Sequence, residues 1–160
     1  MGLKDFLPQY RRRSRVLAVS SGGGHWVQLL RMMHAFEGCE AVYVTVNRAY
    51  EPQVAPNRFY VINDATAWDK VGLVRMGLRL AAIISKERPD VVISTGAAPG
   101  FFALRLGGLL GARTIWIDSI ANVEQLSRSG QKVGAFADLW LTQWPELARP
   151  NGPFFAGAVL

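Results

Sequence analysis

From Arg15 onward, short β-branched runs alternate with longer segments whose apolar residues fall at helical spacing. Val16 to Ser20 reads as a buried strand, and His25 to Phe36 carries Trp26, Leu29, Leu30, Met33 and Phe36 along a helical face. Ala41 to Val46 and Phe59 to Ile62 are predicted strands, separated by a loop containing Pro and Asn. Ala67 to Lys86 is predicted as one long helix with Val71, Val74, Leu78, Ala81 and Ile84 along a stripe, ended by Arg88-Pro89 because the residue before a proline disfavours helical geometry. Val91 to Ser94 is almost continuously apolar, as expected of a strand covered on both faces. A second apolar helix, Phe101 to Leu110, leads to strands at Thr114 to Asp118, Leu139 to Thr142 and Phe154 to Val159. Strand and helix repeated in this order imply an α/β fold, a Rossmann-like parallel sheet with helices on both faces.

Composition narrows the class. The chain has 160 residues, 50% of them hydrophobic and 19% charged, which fits one globular core and excludes global disorder. Its single cysteine, Cys39, forms no intramolecular disulfide and no cysteine-based zinc site, which favours a reducing compartment. No apolar run approaches the roughly 18 residues that span a bilayer. The net charge of +6 is lopsided: Lys4, Arg11, Arg12, Arg13 and Arg15 face only Asp5 in the first fifteen residues. We therefore divide the chain into a basic amphipathic segment, 1–14, and a single Rossmann-like domain, 15–160.

In an open parallel sheet the ligand sits beyond the carboxyl ends of the strands, where strand order reverses. The turns after the strands are thus the place to look for chemistry. Ser20-Ser21-Gly22-Gly23-Gly24-His25 opens a helix with three glycines, which lets backbone N–H groups approach an anion at the positive end of the helix. A tight turn that merely needs residues without a Cβ is the competing reading. The dinucleotide fingerprint fails at Val27, where its third glycine belongs, and no Gly-Lys-Ser/Thr triplet of a phosphate-binding loop occurs.

His25 stands beside this candidate anion site, placed to accept a proton or donate to a phosphate oxygen, or simply to cap the helix. Thr95 and Gly96, in the turn Ser94 to Gly100, offer a second ligand wall. Asp118, followed by Ser119, ends an apolar strand as a general base, a sugar-hydroxyl acceptor or a cap. Glu146, in Trp144-Pro145-Glu146, faces either solvent or the crevice, and His34 is read as structural. Near the N-terminus Leu3, Phe6, Leu7 and Tyr10 fall at helical spacing just before Arg11, Arg12 and Arg13. That is the pattern of an interfacial segment on anionic lipid, against the alternatives of a disordered basic tail or a nucleic-acid arm. The nearly neutral body disfavours nucleic acid. The apolar helix around Arg105 is expected to be buried rather than half-inserted at a surface.

Taken together and in order, Ser20 to His25, Ser94-Thr95-Gly96, Asp118-Ser119, Leu126-Ser127-Arg128-Ser129-Gly130, Gln143-Trp144-Pro145-Glu146-Leu147 and Phe155-Ala156-Gly157 resemble the acceptor-side subunit of two-part glycosyltransferases. That family includes the membrane-anchoring subunit of the eukaryotic UDP-N-acetylglucosaminyltransferase acting on dolichol-linked sugar, and bacterial PssD-type subunits of exopolysaccharide or capsule assembly. The resemblance runs from about Arg15 to the end of the chain. It implies half of a GT-B enzyme, with a separate donor-binding subunit as partner and a polyprenyl-diphosphate-linked saccharide as acceptor. A UDP-sugar would be the donor substrate, with no cofactor and no metal, and transfer would be inverting, with a glucuronosyl or similar sugar. His25 is the first choice for general base and Asp118 the second. Ser21, Gly22, Gly23, Gly24, Thr95, Gly96, Ser119 and Glu146 would contact substrate, and Leu3, Phe6, Leu7 and Arg11 to Arg13 the membrane, at its cytoplasmic face and peripherally. The eukaryotic subunit's spanning anchor is missing from the pattern here, which puts more weight on residues 1–15, and Asp118 replaces its glutamate, which leaves the catalytic assignment open and favours the bacterial branch. A noncatalytic membrane scaffold and a nucleotide-cofactor oxidoreductase are the rival readings.

Overall fold

Strands this rich in Val and Ile must cover both faces, and the computed structural model, which describes residues 13–159, shows how they do. Seven strands form one parallel sheet: β1 (Arg15–Val19), β2 (Glu40–Thr45), β3 (Arg58–Val61), β4 (Val91–Ser94), β5 (Arg113–Ile117), β6 (Leu139–Thr142) and β7 (Phe154–Phe155). Their order is β3-β2-β1-β4-β5-β6-β7, with Leu17 beside Val42 on one side and Val92 on the other. Order therefore reverses between β1 and β4. The basic amphipathic segment and its residues Leu3, Phe6, Leu7, Arg11 and Arg12 lie outside the described residues; Arg13 is exposed.

Side chains alternate across the strands and build two cores. Val16, Ala18, Tyr43 and Ile93 pack with Trp26 and Leu29 of α1 (Gly24–Arg31) and with Phe36. Leu17, Val19, Val42, Val44 and Val92 face α2 (Lys70–Glu87), α3 (Ala97–Leu109) and the short α4 (Arg128–Val133), through Met76, Leu80, Leu104 and Val133.

Element types agree with the sequence reading, while several bounds and one face do not. The helix read as His25 to Phe36 breaks at Met32 and continues as a 3-10 turn, Met33–Phe36. The last strand keeps only Phe154–Phe155, and α4 went unread because its six residues, RSGQKV, lack an apolar period. The Pro-containing loop after β2 winds into a 3-10 turn, Arg48–Gln53, capped by Asn47.

The largest correction concerns α2. Of the predicted stripe, Val71, Val74 and Leu78 are 71%, 63% and 69% exposed, Ala81 is half-buried and only Ile84 is buried; the helix meets the sheet through Gly72, Met76, Leu80 and Ile83 beside it. α2 has apolar residues on two faces, so spacing alone does not say which one meets the sheet. The apolar α3 is buried at Ala103, Leu104 and Gly107, half-buried at Phe101, Phe102 and Leu106, and open at Leu109.

Candidate functional site

Glycine turns at the ends of β1 and β4 bring the first two strand-end motifs together at the point of reversal. α1 begins after Gly23 (φ 65) and α3 after Gly96 (φ 136). Neither helix has a side-chain cap or an acidic residue in its first turn, so two positive helix ends point into the same crevice.

His25 and Thr95 join these turns. The His25 ring nitrogen Nδ1 lies 2.9 Å from the Thr95 carbonyl oxygen, and the Thr95 hydroxyl donates to the His25 carbonyl at 2.7 Å. A carbonyl only accepts, so Nδ1 carries the proton, and in the neutral ring Nε2 holds the lone pair. The ring lies against Gly96: a Cβ there would stand 2.5 Å from His25 Cε1. Gly96 is therefore fixed both by its positive φ and by the imidazole beside it.

Gly22, Gly23 and Gly24 are partly or fully exposed, as a binding loop must be. The Gly23 N–H donates to the Tyr50 hydroxyl at 3.2 Å, and Tyr50 stacks on Trp26 with centroids 5.0 Å apart. Ser21 is half-buried at the rim, and Glu146 is exposed beyond the end of β6. His34 pairs with Glu37 on the surface, away from the crevice.

Asp118 is organised quite differently. It is 1% exposed, and its carboxylate accepts from the Trp116 indole (3.1 Å), the Ser127 hydroxyl (2.6 Å) and backbone N–H (2.9 Å), and the Asn122 amide (3.0 Å). These donors use the lone pairs that a general base would need. The geometry makes Asp118 a clasp for the 118–127 loop, the capping reading weighed from sequence.

Gln28 is the residue that sequence reasoning missed. Its Nε2 donates to the Ser119 hydroxyl at 3.1 Å, while its Oε1 accepts from the Ile120 N–H and from Gln143 Nε2. Gln143 Nε2 also donates to the Asp118 carbonyl, and its Oε1 accepts from the Val159 N–H. A glutamine inside an amphipathic helix looks like a solvent-facing residue; the available signal was its place on the buried side beside Leu29. The network joins the turns after β1, β5 and β6 into one wall. A small hollow of about 220 Å³ touches this wall at Gln143 and Val159. A concavity of about 890 Å³ opens at the opposite edge, between Ser14, Arg88, Asp90 and Arg113, and includes none of the strand-end motifs.

With this geometry in view, comparison with known proteins is informative. No protein-family model matches the chain. UDP-N-acetylglucosamine transferase subunit ALG14 of Yarrowia lipolytica is 36% identical over 72 residues, 41% of this chain and 33% of that protein. ALG14 of Eremothecium gossypii is 26% identical over an alignment of 166 positions, covering 84% of this chain and 74% of that protein. The sequence is similar to that of ALG14 subunits. The Yarrowia match thus spans about a third of its relative. Among solved structures, MurG of Acinetobacter baumannii superposes with a TM-score of 0.73 at 12% identity, over 91% of this chain and 45% of MurG. UDP-N-acetylglucosamine 2-epimerase of Rickettsia bellii gives 0.68 at 12%, over 92% and 46%. Such identities speak for the fold alone, which is α/β and Rossmann-like with GT-B-like neighbours.

Proposed function

We propose that this chain is one subunit of a UDP-sugar-dependent glycosyltransferase, the half that holds a polyprenyl-diphosphate-linked acceptor at a membrane while a partner subunit binds the donor. The observation that carries the reading is the crevice between β1 and β4, where two uncapped helix ends converge beside a histidine with an available nitrogen. The similarity to ALG14 supports the transferase class. Exopolysaccharide or capsule assembly, and a glucuronosyl or similar sugar, are the context we propose for it.

In this mechanism the N–H groups opening α1 and α3 face phosphate oxygens, and the two helix ends offset their charge without a metal ion. Gly22 to Gly24 and Gly96 allow the backbone to approach closely, with Ser21 and Glu146 at the rim; Thr95 and Ser119, expected to touch substrate, are buried, and their hydroxyls bond the His25 carbonyl and the Gln28 amide instead. His25 Nε2 takes the proton of the attacking acceptor hydroxyl as that oxygen bonds to the sugar's anomeric carbon. The UDP oxygen departs with the electron pair of the broken bond, and configuration inverts. The carbonyl of Thr95 stabilises the resulting imidazolium. Asp118 acts through the loop that it holds. The partly exposed wall supplies one side of a cleft, which is why a second subunit is required.

The test is transfer by the complex of both subunits. We expect His25→Ala to assemble with the partner normally and to lose at least about a hundredfold in turnover, the usual scale for general-base removal. Full turnover in that variant would move catalysis to the partner and leave this chain as a membrane scaffold. Titration with UDP-sugars and with NADH separates the transferase from an oxidoreductase, because tight binding of reduced nicotinamide alone contradicts the proposal.

A further inference from the structure

The outward face of α2 is unusual for a surface helix. At about 100° per residue, Val71, Val74, Leu78 and Ala82 fall within a narrow arc opposite Met76 and Leu80. Trp68, just before the helix, is 90% exposed, and Val71, Val74 and Leu78 are each more than 60% exposed. Lys70, Arg75 and Arg79 are exposed on or beside this arc. A shallow hollow of about 450 Å³ on this face is lined by Lys70, Val71, Val74, Arg75 and Leu78. The acids at this end have local roles: Asp69 caps the Gly72 N–H at 2.8 Å, and Asp64 accepts from the Ala65 N–H. At the far end, Glu87 is buried with Arg58.

We propose that this face of α2, with Trp68 at its tip, docks the protein on an anionic lipid bilayer. The charge pattern selects this occupant: a tryptophan and aliphatic side chains enter the interface while flanking lysine and arginine meet acidic headgroups. Position fits as well. α2 begins at the same edge of the sheet as α1 and α3, so Trp68 and the start of the docked face lie at the crevice end of the domain. The inference rests on the membrane-associated reading above and names a surface for it within the folded domain.

The test is sedimentation of the full chain with vesicles of phosphatidylcholine alone and mixed with phosphatidylglycerol, without any assay of transfer. Wild type is expected to prefer the anionic vesicles. The apolar set Trp68→Ser, Val71→Ser, Val74→Ser and Leu78→Ser, and the charge set Lys70→Glu, Arg75→Glu and Arg79→Glu, should each weaken binding at least about tenfold. All seven positions are exposed, and circular dichroism checks that both sets keep the fold. On vesicle addition, the emission difference between wild type and Trp68→Phe should shift to the blue. Three results would overturn the proposal: wild-type binding by both sets, no binding by wild type, or a vesicle-free dimer that the apolar set dissolves. In each case the crevice and its UDP-sugar titration remain a separate question.

Discussion

His25 and Asp118, two titratable residues after β1 and β5, sit in contrasting settings. His25 is half-buried, tied by one ring nitrogen to a backbone carbonyl; Asp118 is sealed and takes four hydrogen bonds. Asp118→Asn turns an amide N–H toward donors and should cost about 1–3 kcal/mol, read in urea unfolding. His25→Gln should leave the urea midpoint nearly unchanged while abolishing transfer. Gly96→Ala combines a disfavoured φ with a contact on the imidazole, and should lower both stability and turnover. The strand-end positions of His25, Thr95 and Gly96 were legible because glycine turns after apolar runs are a local signal. The bonding of Asp118 was not, because its donors, Asn122 and Ser127, lie in a loop whose path depends on tertiary contacts.

Among the elements, α2 is the clearest case of a helix recognised with the wrong face assigned to the core. Leu80→Ala should cost about 2–5 kcal/mol, whereas Leu78→Ala should stay within about 0.5 kcal/mol; thermal unfolding of the two variants checks the assignment directly. The strands were legible because buried parallel strands are continuous apolar runs, and α4 was not because it is short and polar. At the other end of the sheet, Arg15 and Arg58 bind Glu40, tying the starts of β1, β2 and β3. The hydrogen bond from Arg15, assisted by Arg58 and opposed by partial desolvation, holds the Glu40 carboxyl below its ordinary value of 4.5. A lowered folded-state value means that the contribution is present above the unfolded-state value and lost as pH falls through the folded one. The melting-temperature gap between wild type and Glu40→Gln should therefore close as pH drops below about 4.5.

For the molecule as a whole, one sheet gathers distant turns at a single edge, with apolar and basic surface on the adjoining α2. The Gln28–Gln143 contact spans 115 positions of sequence. During synthesis, Gln28 is made long before the segment carrying Gln143 and Val159 leaves the ribosome. Until then one side of the crevice has amide groups without their native partners, and the wall cannot take its final shape. The finished wall is consequently a late product of folding, complete only after β6 has joined the sheet.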